Sequence, residues 1–560
     1  MLTLVYMTSV RVRVLLKTLV FSLLIAVPET MISPMIFGQP MPETAGKQPL
    51  TSSAADRCAS MASLALKDAT VTSATLVPAA GGVAGIKISA HRAQEMPAFC
   101  RVKVTDRPTD DSEILTEVWL PAAGWNGRYR GQGNGGFAGE IAYELLAEAV
   151  NEGYVTAGTN TGHVGSNPAF ALGHPEKVKD FGWRAVHDMT VQAKQVAAAF
   201  YGHGPEHSYF ASCSDGGREA LMEAQRFPAD YDGILAGAPA YNWTTLFAAG
   251  AVDTQAMLAS ADSYIPAKKV PTIAAAVRAA CDAQDGVKDG VINDPRECHL
   301  DLAALTCKQG DADTCLLPGQ IETLKTIYAA KVDKNGREVF PAPLPGAEEG
   351  PNGWSQWITG QAQGKSSGVS YGVGFFANFV HEDSTWKLKS FDFDSDLKLA
   401  NEKTAQALNA TDTNLSPFIK RGGRLILYQG WNDPAIPALS TIAYYDGVTK
   451  TMGAETTKST VRLYMVPGMQ HCGGGPGATE FGQLGIRARA DTEHDIFTSL
   501  EKWVEAGEAP GQLTAERFVD NEPEKGVAMS RPLCVYPAEA KYTGGDQNDA
   551  KNFACVAPKK

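Results

Sequence analysis

The stretch "HSYFASCSDGGREALMEAQRFPADYDGILAGAP", residues 207–239, constrains the fold of this chain more than any other. It reads as a short apolar strand, a tight turn, a helix from Gly217 and a second strand in "YDGILAGAP". The segments before it follow the same rhythm. "EILTEVWLP" and "GYVTAGTNTG" read as strands, and "WRAVHDMTVQAKQVAAAFYG" has helical spacing and stops at a glycine. From Cys58 to about Trp243 this alternation predicts a parallel sheet with helices on both faces, an α/β fold.

The pattern changes from about Asn242 to Ser416, a stretch rich in Gly, Pro, Asp and aromatic residues with four cysteines and few strand signals. Alternation resumes with "GGRLILYQGWNDPAIP", "ALSTIAYYDGVTKTMG" and "STVRLYMVPGMQHCGGG", and "DIFTSLEKWVEAGEAP" makes a late amphipathic helix. The expected architecture is a sheet core in two parts, 40–241 and 416–560, interrupted by a lid-like insertion over 242–415. Insertions of this kind form pocket walls or covers.

The turn carries the chemistry. A serine at a sharp strand-to-helix turn stands above the sheet, against the positive end of the following helix. The usual pattern is G-x-S-x-G; here Ser212-Cys213-Ser214-Asp215-Gly216 puts Ser at the first Gly. α/β-hydrolases order their triad as Ser, then acid, then His. Asp433 follows the strand "RLILYQG", and His471 lies on the loop after "VRLYMVPG", so Ser214, Asp433 and His471 match in order and context. Ser214 needs a neutral imidazole to take its proton, and Asp433 would fix the tautomer of His471. Two aimed N–H groups are needed for the oxyanion. The expected donors are the amide of Asp215 and that of Gly135 or Gly136 in the loop "GQGNGGFAG".

Cys213 precedes the serine and Cys472 follows the histidine. Were Ser214 and His471 hydrogen-bonded, these neighbours would fall within the roughly 5.5–6 Å Cα separation of a disulfide. A Cys213–Cys472 bridge is therefore expected, in preference to a cysteine nucleophile. The chain holds ten cysteines and no CxxC, which favours five disulfides in an exported protein over a zinc or redox site. Cys281/Cys298 and Cys307/Cys315 are plausible local pairs. Arg11, Arg13 and Lys17 before "TLVFSLLIAV" read as a signal peptide within residues 1–39, so a secreted or periplasmic protein is expected, with no stable membrane partner once the signal is removed. A net charge of -12 without a basic block argues against nucleic acid.

"CSDGG", "GWNDPAIP" and "HCGGG" together resemble the tannase and feruloyl esterase family, which includes the hydrolase of mono(2-hydroxyethyl) terephthalate. The resemblance runs from about Cys58 to Cys555. It implies an α/β-hydrolase fold with a large lid, a structural calcium ion in the lid, and no organic cofactor. It also implies the remaining pairs, Cys58–Cys100, Cys281–Cys298, Cys307–Cys315 and Cys534–Cys555. "CDAQDGVKDGVI" has the chemistry for calcium: Asp282, Asp285 and Asp289 spaced by glycines, with the carbonyls of Val287 and Val291 completing an oxygen shell. In the lid, Tyr371, Phe375, Phe376, Phe379 and Trp386 are candidate aromatic walls for substrate. That stretch has no Arg to hold a free carboxylate, which disfavours the terephthalate monoester, although Lys387 and Lys389 leave it open.

The expected function is an exported serine esterase acting on small aromatic esters, feruloyl or other hydroxycinnamoyl esters first, through an acyl-enzyme. Galloyl esters and the terephthalate monoester are the alternatives in kind. A secreted serine peptidase and a non-catalytic, calcium-stabilised binding protein are the alternatives in class. The oligomeric state is not legible from the sequence.

Overall fold

Nine strands form one sheet at the centre of the structure, a computed structural model that describes residues 52–483 and 489–558. In chain order they are β1 (Ala69–Val77), β2 (Phe99–Asp106), β3 (Ile114–Pro121), β4 (Arg128–Gln132), β5 (Val155–Thr159), β6 (His207–Cys213), β7 (Gly233–Gly237), β8 (Arg424–Gly430) and β9 (Val461–Val466). Across the sheet the order is β1-β2-β3-β5-β4-β6-β7-β8-β9. From β5 to β9 every neighbour is parallel. The other edge departs from the all-parallel expectation, because β1/β2, β2/β3 and β3/β5 pair antiparallel. Between β2 and β3 the connection 107–113 is too short to carry a crossover helix, so the chain turns straight back.

The major helices are α1 (Tyr143–Asn151), α2 (Ala185–Tyr201), α3 (Asp215–Arg226), α4 (Trp243–Leu258), α5 (Val270–Cys281), α6 (Ser367–Phe375), α7 (Phe393–Leu408), α8 (Ala438–Met452) and α9 (Ile496–Ala506). The central strands are buried on both faces, and successive side chains go to opposite sides. Phe210, Ile234, Leu425 and Leu427 pack with Val186 and Met189 of α2 and Leu221 of α3. Their chain neighbours Tyr209, Leu235, Ile426 and Tyr428 pack with Phe497, Leu500 and Trp503 of α9 on the far side. Each such buried side chain stabilises the fold by about 1.5–3 kcal/mol, which holds the strand ends that carry the site in register.

Between β7 and β8 the chain adds no strand to the main sheet. Residues 242–415 supply α4 to α7 and a small ribbon, Lys331–Val332 with Glu338–Phe340. Cys281–Cys298 and Cys307–Cys315 staple this segment, with Cα separations of 5.3 and 4.9 Å. Cys58–Cys100 ties the first helix, Ala54–Ser60, to β2. After α9 two hairpins follow, Leu513–Phe518 with Val527–Leu533 and Glu539–Tyr542 with Phe553–Val556, the latter near Cys534–Cys555. The hairpins and the edge strand β1 were not legible, since β1, nine residues long, is only partly buried and neither it nor the hairpin strands alternate clearly between apolar and polar residues. All of these residues belong to one compact unit, Leu50–Lys560. Among the described residues no helix is long and apolar enough to cross a membrane, and the leader expected at 1–39 lies outside them.

Candidate active site

Strand β6 delivers Ser214 to the N-cap of α3 with φ 67° and ψ −122°, a conformation that strains any L-residue by about 1–3 kcal/mol. The surroundings hold it there. The Ser214 N–H donates to the Gly237 carbonyl (3.0 Å), and the Ser214 carbonyl accepts from the Ala240 N–H (3.1 Å). A Cβ at Gly216 would run into the Ser212 hydroxyl, and one at Gly217 into the Gly237 carbonyl. Ser212 takes the place of the first motif glycine because Gly133 and Gly216, both bare, leave room for its Oγ. Gly216→Ala is expected to leave little soluble, folded protein, since the added Cβ would overlap the buried Ser212 side chain and press on the Asn134 carbonyl at 2.8 Å, which is backbone and cannot retreat; wild-type yield and melting temperature would contradict this.

His471 bridges the two expected partners. Its Nε2 lies 2.9 Å from Ser214 Oγ and its Nδ1 lies 2.9 Å from Asp433 Oδ2. An ionised carboxylate only accepts, so Nδ1 carries the proton and Nε2 presents a lone pair to the serine hydroxyl. Asp433 is 1% exposed, and its Oδ1 accepts from the N–H groups of Ala435 (2.8 Å) and Ile436 (2.9 Å). Its Oδ2 also accepts from Gln429 Nε2 at 3.0 Å. Four donors converge on the carboxylate and fix its plane. Trp357, from the insertion, meets the His471 ring edge-on with centroids 4.8 Å apart. Cys213 and Cys472 are joined, with Cα atoms 6.0 Å apart. Cys472 itself has φ 63°, so the bridge links two residues on either side of a strained pair of loops. No cysteine is free among the described residues.

The glycine loop comes to the same place, held by Asn134. The Asn134 carbonyl accepts from the Gly216 N–H (2.9 Å), and its N–H donates to Glu219 Oε2 (2.9 Å). Its amide Nδ2 donates to the carbonyls of Glu140 (2.7 Å) and Thr159 (3.0 Å). Gly136 takes φ 57° and lines the cavity with Ser214, where a Cβ would strike the Tyr371 hydroxyl. Gly135, the other candidate, is not in that wall. Asp215, first residue of α3, has an N–H with no carbonyl four residues back inside the helix. Its side chain is committed elsewhere, accepting from buried Arg218 Nε at 2.6 Å.

Behind the turn, burial and then the Asp215 carboxylate push the Glu219 carboxyl up to about 8, against the pull of Arg218 and the Asn134 N–H. The unfolded chain would ionise it near the ordinary 4.5. The folded state therefore binds the extra proton, and stability falls as pH rises between those two values. Glu219→Gln keeps an acceptor for the Asn134 N–H and removes the titration. Its melting temperature is expected to gain on wild type from roughly pH 5 to 8; parallel pH profiles for the two proteins would refute the assignment.

The cavity over Ser214 and His471 is roofed by the insertion. Trp243 and Phe247 of α4, Tyr371 of α6 and Trp357, ten residues ahead of α6, wall it with aromatic surface. Of the lid aromatics expected to meet substrate, only Tyr371 is there. Phe376, Phe379 and Trp386 are corrected: none of them lines the cavity, and with Phe375 they sit in the cluster around Phe181 and Phe391, behind the wall residues Trp243, Phe247 and Tyr371. Phe375, Phe376 and Phe379 are at most 4% exposed, since at that helical spacing they form one inward stripe and the insertion needs a core of its own. Trp243, Phe247 and Trp357 were missed because nothing local separates a wall aromatic from a core one. The wall also holds a charged pair, Asp253 and Lys331, at 2.8 Å. Lys387 and Lys389 are exposed and outside the wall.

The acidic loop of the insertion is organised by its own backbone. Asp282 Oδ1 accepts from the N–H groups of Asp289 (3.2 Å) and Gly290 (3.0 Å), and Asp285 Oδ1 from Val287 N–H (3.0 Å). Asp289 Oδ1 accepts from Val291 N–H (3.0 Å), and its Oδ2 is paired with Arg531. Gly286 and Gly290 take left-handed φ of 93° and 82°, which closes the loop on itself. Burial, then the charges of Asp289 and Asp282, raise the Asp285 carboxyl, against the pull of the Val287 N–H. The donors are all oxygen and suit a hard cation, but the three carboxylates do not all come within 4.8 Å, so an ion would have to draw them in.

A serine, an imidazole and a buried carboxylate chained at the ends of parallel strands, in the order Ser, Asp, His, define the α/β-hydrolase class. The family profile described as tannase and feruloyl esterase matches residues 100–556. The chain is 40% identical over 535 residues to an uncharacterized esterase of Xanthomonas campestris pv. campestris, covering 90% of this chain and 92% of the relative. It is 34% identical over 452 residues to a probable feruloyl esterase B-2 of Aspergillus flavus, covering 79% and 85%. The crystal structure of feruloyl esterase B from Aspergillus oryzae superposes with a TM-score of 0.82 at 30% identity, over 90% of this chain and all of that one. Tannin acyl hydrolase from Aspergillus niger, at 23% identity, shares the fold with a TM-score of 0.70 over 88% of this chain and 92% of that one. The chain belongs to the tannase and feruloyl esterase family and is a carboxylic ester hydrolase.

Proposed function

We propose that the protein hydrolyses esters of aromatic carboxylic acids, hydroxycinnamoyl esters such as ferulates first, with Ser214, His471 and Asp433 as its catalytic residues. The observation that carries this reading is the Ser214–His471–Asp433 chain, 2.9 Å at each link, opening into an aromatic-walled cavity. Ser214 Oγ attacks the ester carbonyl while His471 Nε2 takes its proton, and Asp433 stabilises the imidazolium that results. The carbonyl oxygen, now anionic, accepts from the N–H groups of Asp215 and Gly136. His471 then protonates the leaving alcohol, and an acyl-serine remains. Water, deprotonated by the same imidazole, attacks the acyl-serine and releases the acid.

The wall distinguishes among aromatic acids by charge. Its one lysine among the described residues, Lys331, donates to the carbonyls of Thr326 (2.7 Å) and Ala329 (2.8 Å) and pairs with Asp253. With two protons given to backbone carbonyls and the Asp253 carboxylate 2.8 Å away, the ammonium presents little net positive charge to a free substrate carboxylate. Ranking methyl ferulate, methyl gallate and mono(2-hydroxyethyl) terephthalate by kcat/KM should put the ferulate first and the terephthalate last. Turnover of none of the three would overturn the reading, and so would failure of a fluorophosphonate to label Ser214.

We further propose that calcium binds the loop of the insertion through Asp282, Asp285 and Asp289 with the carbonyls of Val287 and Val291. The ion would neutralise three gathered carboxylates and contribute no step of the reaction. Chelation should lower the melting temperature by several degrees, with recovery on adding Ca²⁺; an unchanged transition would remove the ion from the account. Export, proposed from the disulfides and the basic-then-apolar N-terminal sequence, predicts activity in the culture supernatant or periplasm. Activity confined to the cytoplasm would contradict it.

A further inference from the structure

Outside the cavity, one cluster of titratable side chains has no role in the ester chemistry. His187 projects from α2, Glu223 from α3, and Asp230 from the turn between α3 and β7. Among the described residues they are the only group of three or more His, Cys, Asp or Glu side chains whose ligand atoms all lie within 4.8 Å of one another. None of them lines the cavity over Ser214. We propose that His187, Glu223 and Asp230 bind a divalent first-row transition-metal ion, of which zinc is the probe, cross-linking α2 to the helix that carries the serine.

The observation that points to a ligand is Glu223. It is 1% exposed, and neither of its carboxylate oxygens has a hydrogen-bond partner. The carboxyl faces that of Asp230, with a ligand oxygen of each within 4.8 Å of the other. Two buried carboxylates so close require a proton or a cation between them. Among the described residues no arginine pairs with either carboxylate, and Asp230 pairs with His187. Lys194, the nearby cation, donates instead to the Asp230 backbone carbonyl. The third member supplies nitrogen: His187 Nδ1 lies 2.6 Å from Asp230 Oδ2, and the ring is fixed by stacking on Phe227 with centroids 3.8 Å apart.

One imidazole and two carboxylates suit zinc and its neighbours better than calcium or magnesium, which prefer all-oxygen shells. With metal–ligand bonds of about 2.0–2.2 Å, tetrahedral ligands stand roughly 3.3 Å apart, so His187 Nδ1 and Asp230 Oδ2 must part by about 0.7 Å on loading. Side-chain rotation can supply that. His187 is the open side of the cluster, its side chain 27% exposed against 12% for Asp230, and gives an ion its way in and room for a water as fourth ligand. Such an ion would join two helices of one sheet face and stabilise the fold without entering the reaction.

The test uses the full exported enzyme, stripped by chelator and restored with Ca²⁺ so that the acidic loop is satisfied. Titration with ZnCl2, followed by calorimetry and by metal analysis after gel filtration, should show one zinc bound with a Kd below about 10 µM, and a raised melting temperature. His187→Ala and Glu223→Gln should each weaken that binding by at least about 10-fold, while their zinc-free ester turnover matches wild type. Using both variants guards against a folding defect in one. Absence of stoichiometric zinc in the folded wild type overturns the proposal, leaving a proton shared by the two carboxyls. Zinc binding undiminished in both folded variants overturns it equally.

Discussion

Ser214→Ala is expected to reduce kcat for methyl ferulate by roughly 10⁴ to 10⁶-fold, the range found when a triad nucleophile is removed. The fold should survive. Alanine occupies less space at the turn, and the backbone contacts that hold φ at 67° run through the N–H and carbonyl of residue 214, not its hydroxyl. The melting temperature should therefore stay within a few degrees of wild type, because a substitution that removes a half-buried hydroxyl belongs among the small effects. His471 Nε2 loses only its serine partner and stays bonded to Asp433 through Nδ1. A folded Ser214→Ala enzyme with undiminished turnover would sink the mechanism.

The second large effect is expected at the bridge. Cys213→Ser combined with Cys472→Ser removes a link that closes a loop of 259 residues. In the chain-entropy account such a loop corresponds to roughly 5 kcal/mol, the upper end of what disulfides contribute. The chemistry should suffer separately, because the bridge joins the residue before the nucleophile to the residue after the base. Cys472 has φ 63°, which a non-glycine residue adopts only when its surroundings impose it. Without the bridge that loop can relax, and a 1 Å drift between Ser214 and His471 costs about 100-fold in rate. The double variant should melt well below wild type and show kcat reduced by about that factor at temperatures where it is still folded. A lower melting point with unchanged kcat would make the bridge a staple only and would remove its positioning role.

How far these sites were legible differs residue by residue. Ser214, Asp433 and His471 each follow a short apolar strand, so their placement could be read from strand endings that are local in the chain. Cys213 and Cys472 gained meaning from that reading, since neighbours of bonded residues must themselves be close. The lid aromatics were not legible in the same way. Phe376, Phe379 and Tyr371 are alike as side chains, and which one faces the cavity depends on how α6 rotates against α4 and the Phe181 cluster. Asp253 and Lys331 meet across 78 positions of chain, with no motif around either.

By itself the sequence determined the parallel half of the sheet, the sharp turn at Ser214 and the strand-end placement of Ser214, Asp433 and His471 in that order. Period, strand length and turn chemistry are properties of a few consecutive residues, and they act before any distant contact is made. The antiparallel edge, the wall of the cavity, the charged pair within it and the His187–Glu223–Asp230 cluster were decided only in the tertiary structure. Each depends on side chains from separate elements meeting in a particular rotation and register, and burial then sets what those groups can do. The same carboxyl is an ordinary surface acid in one setting and, as at Glu219, a buried group that keeps its proton to about pH 8.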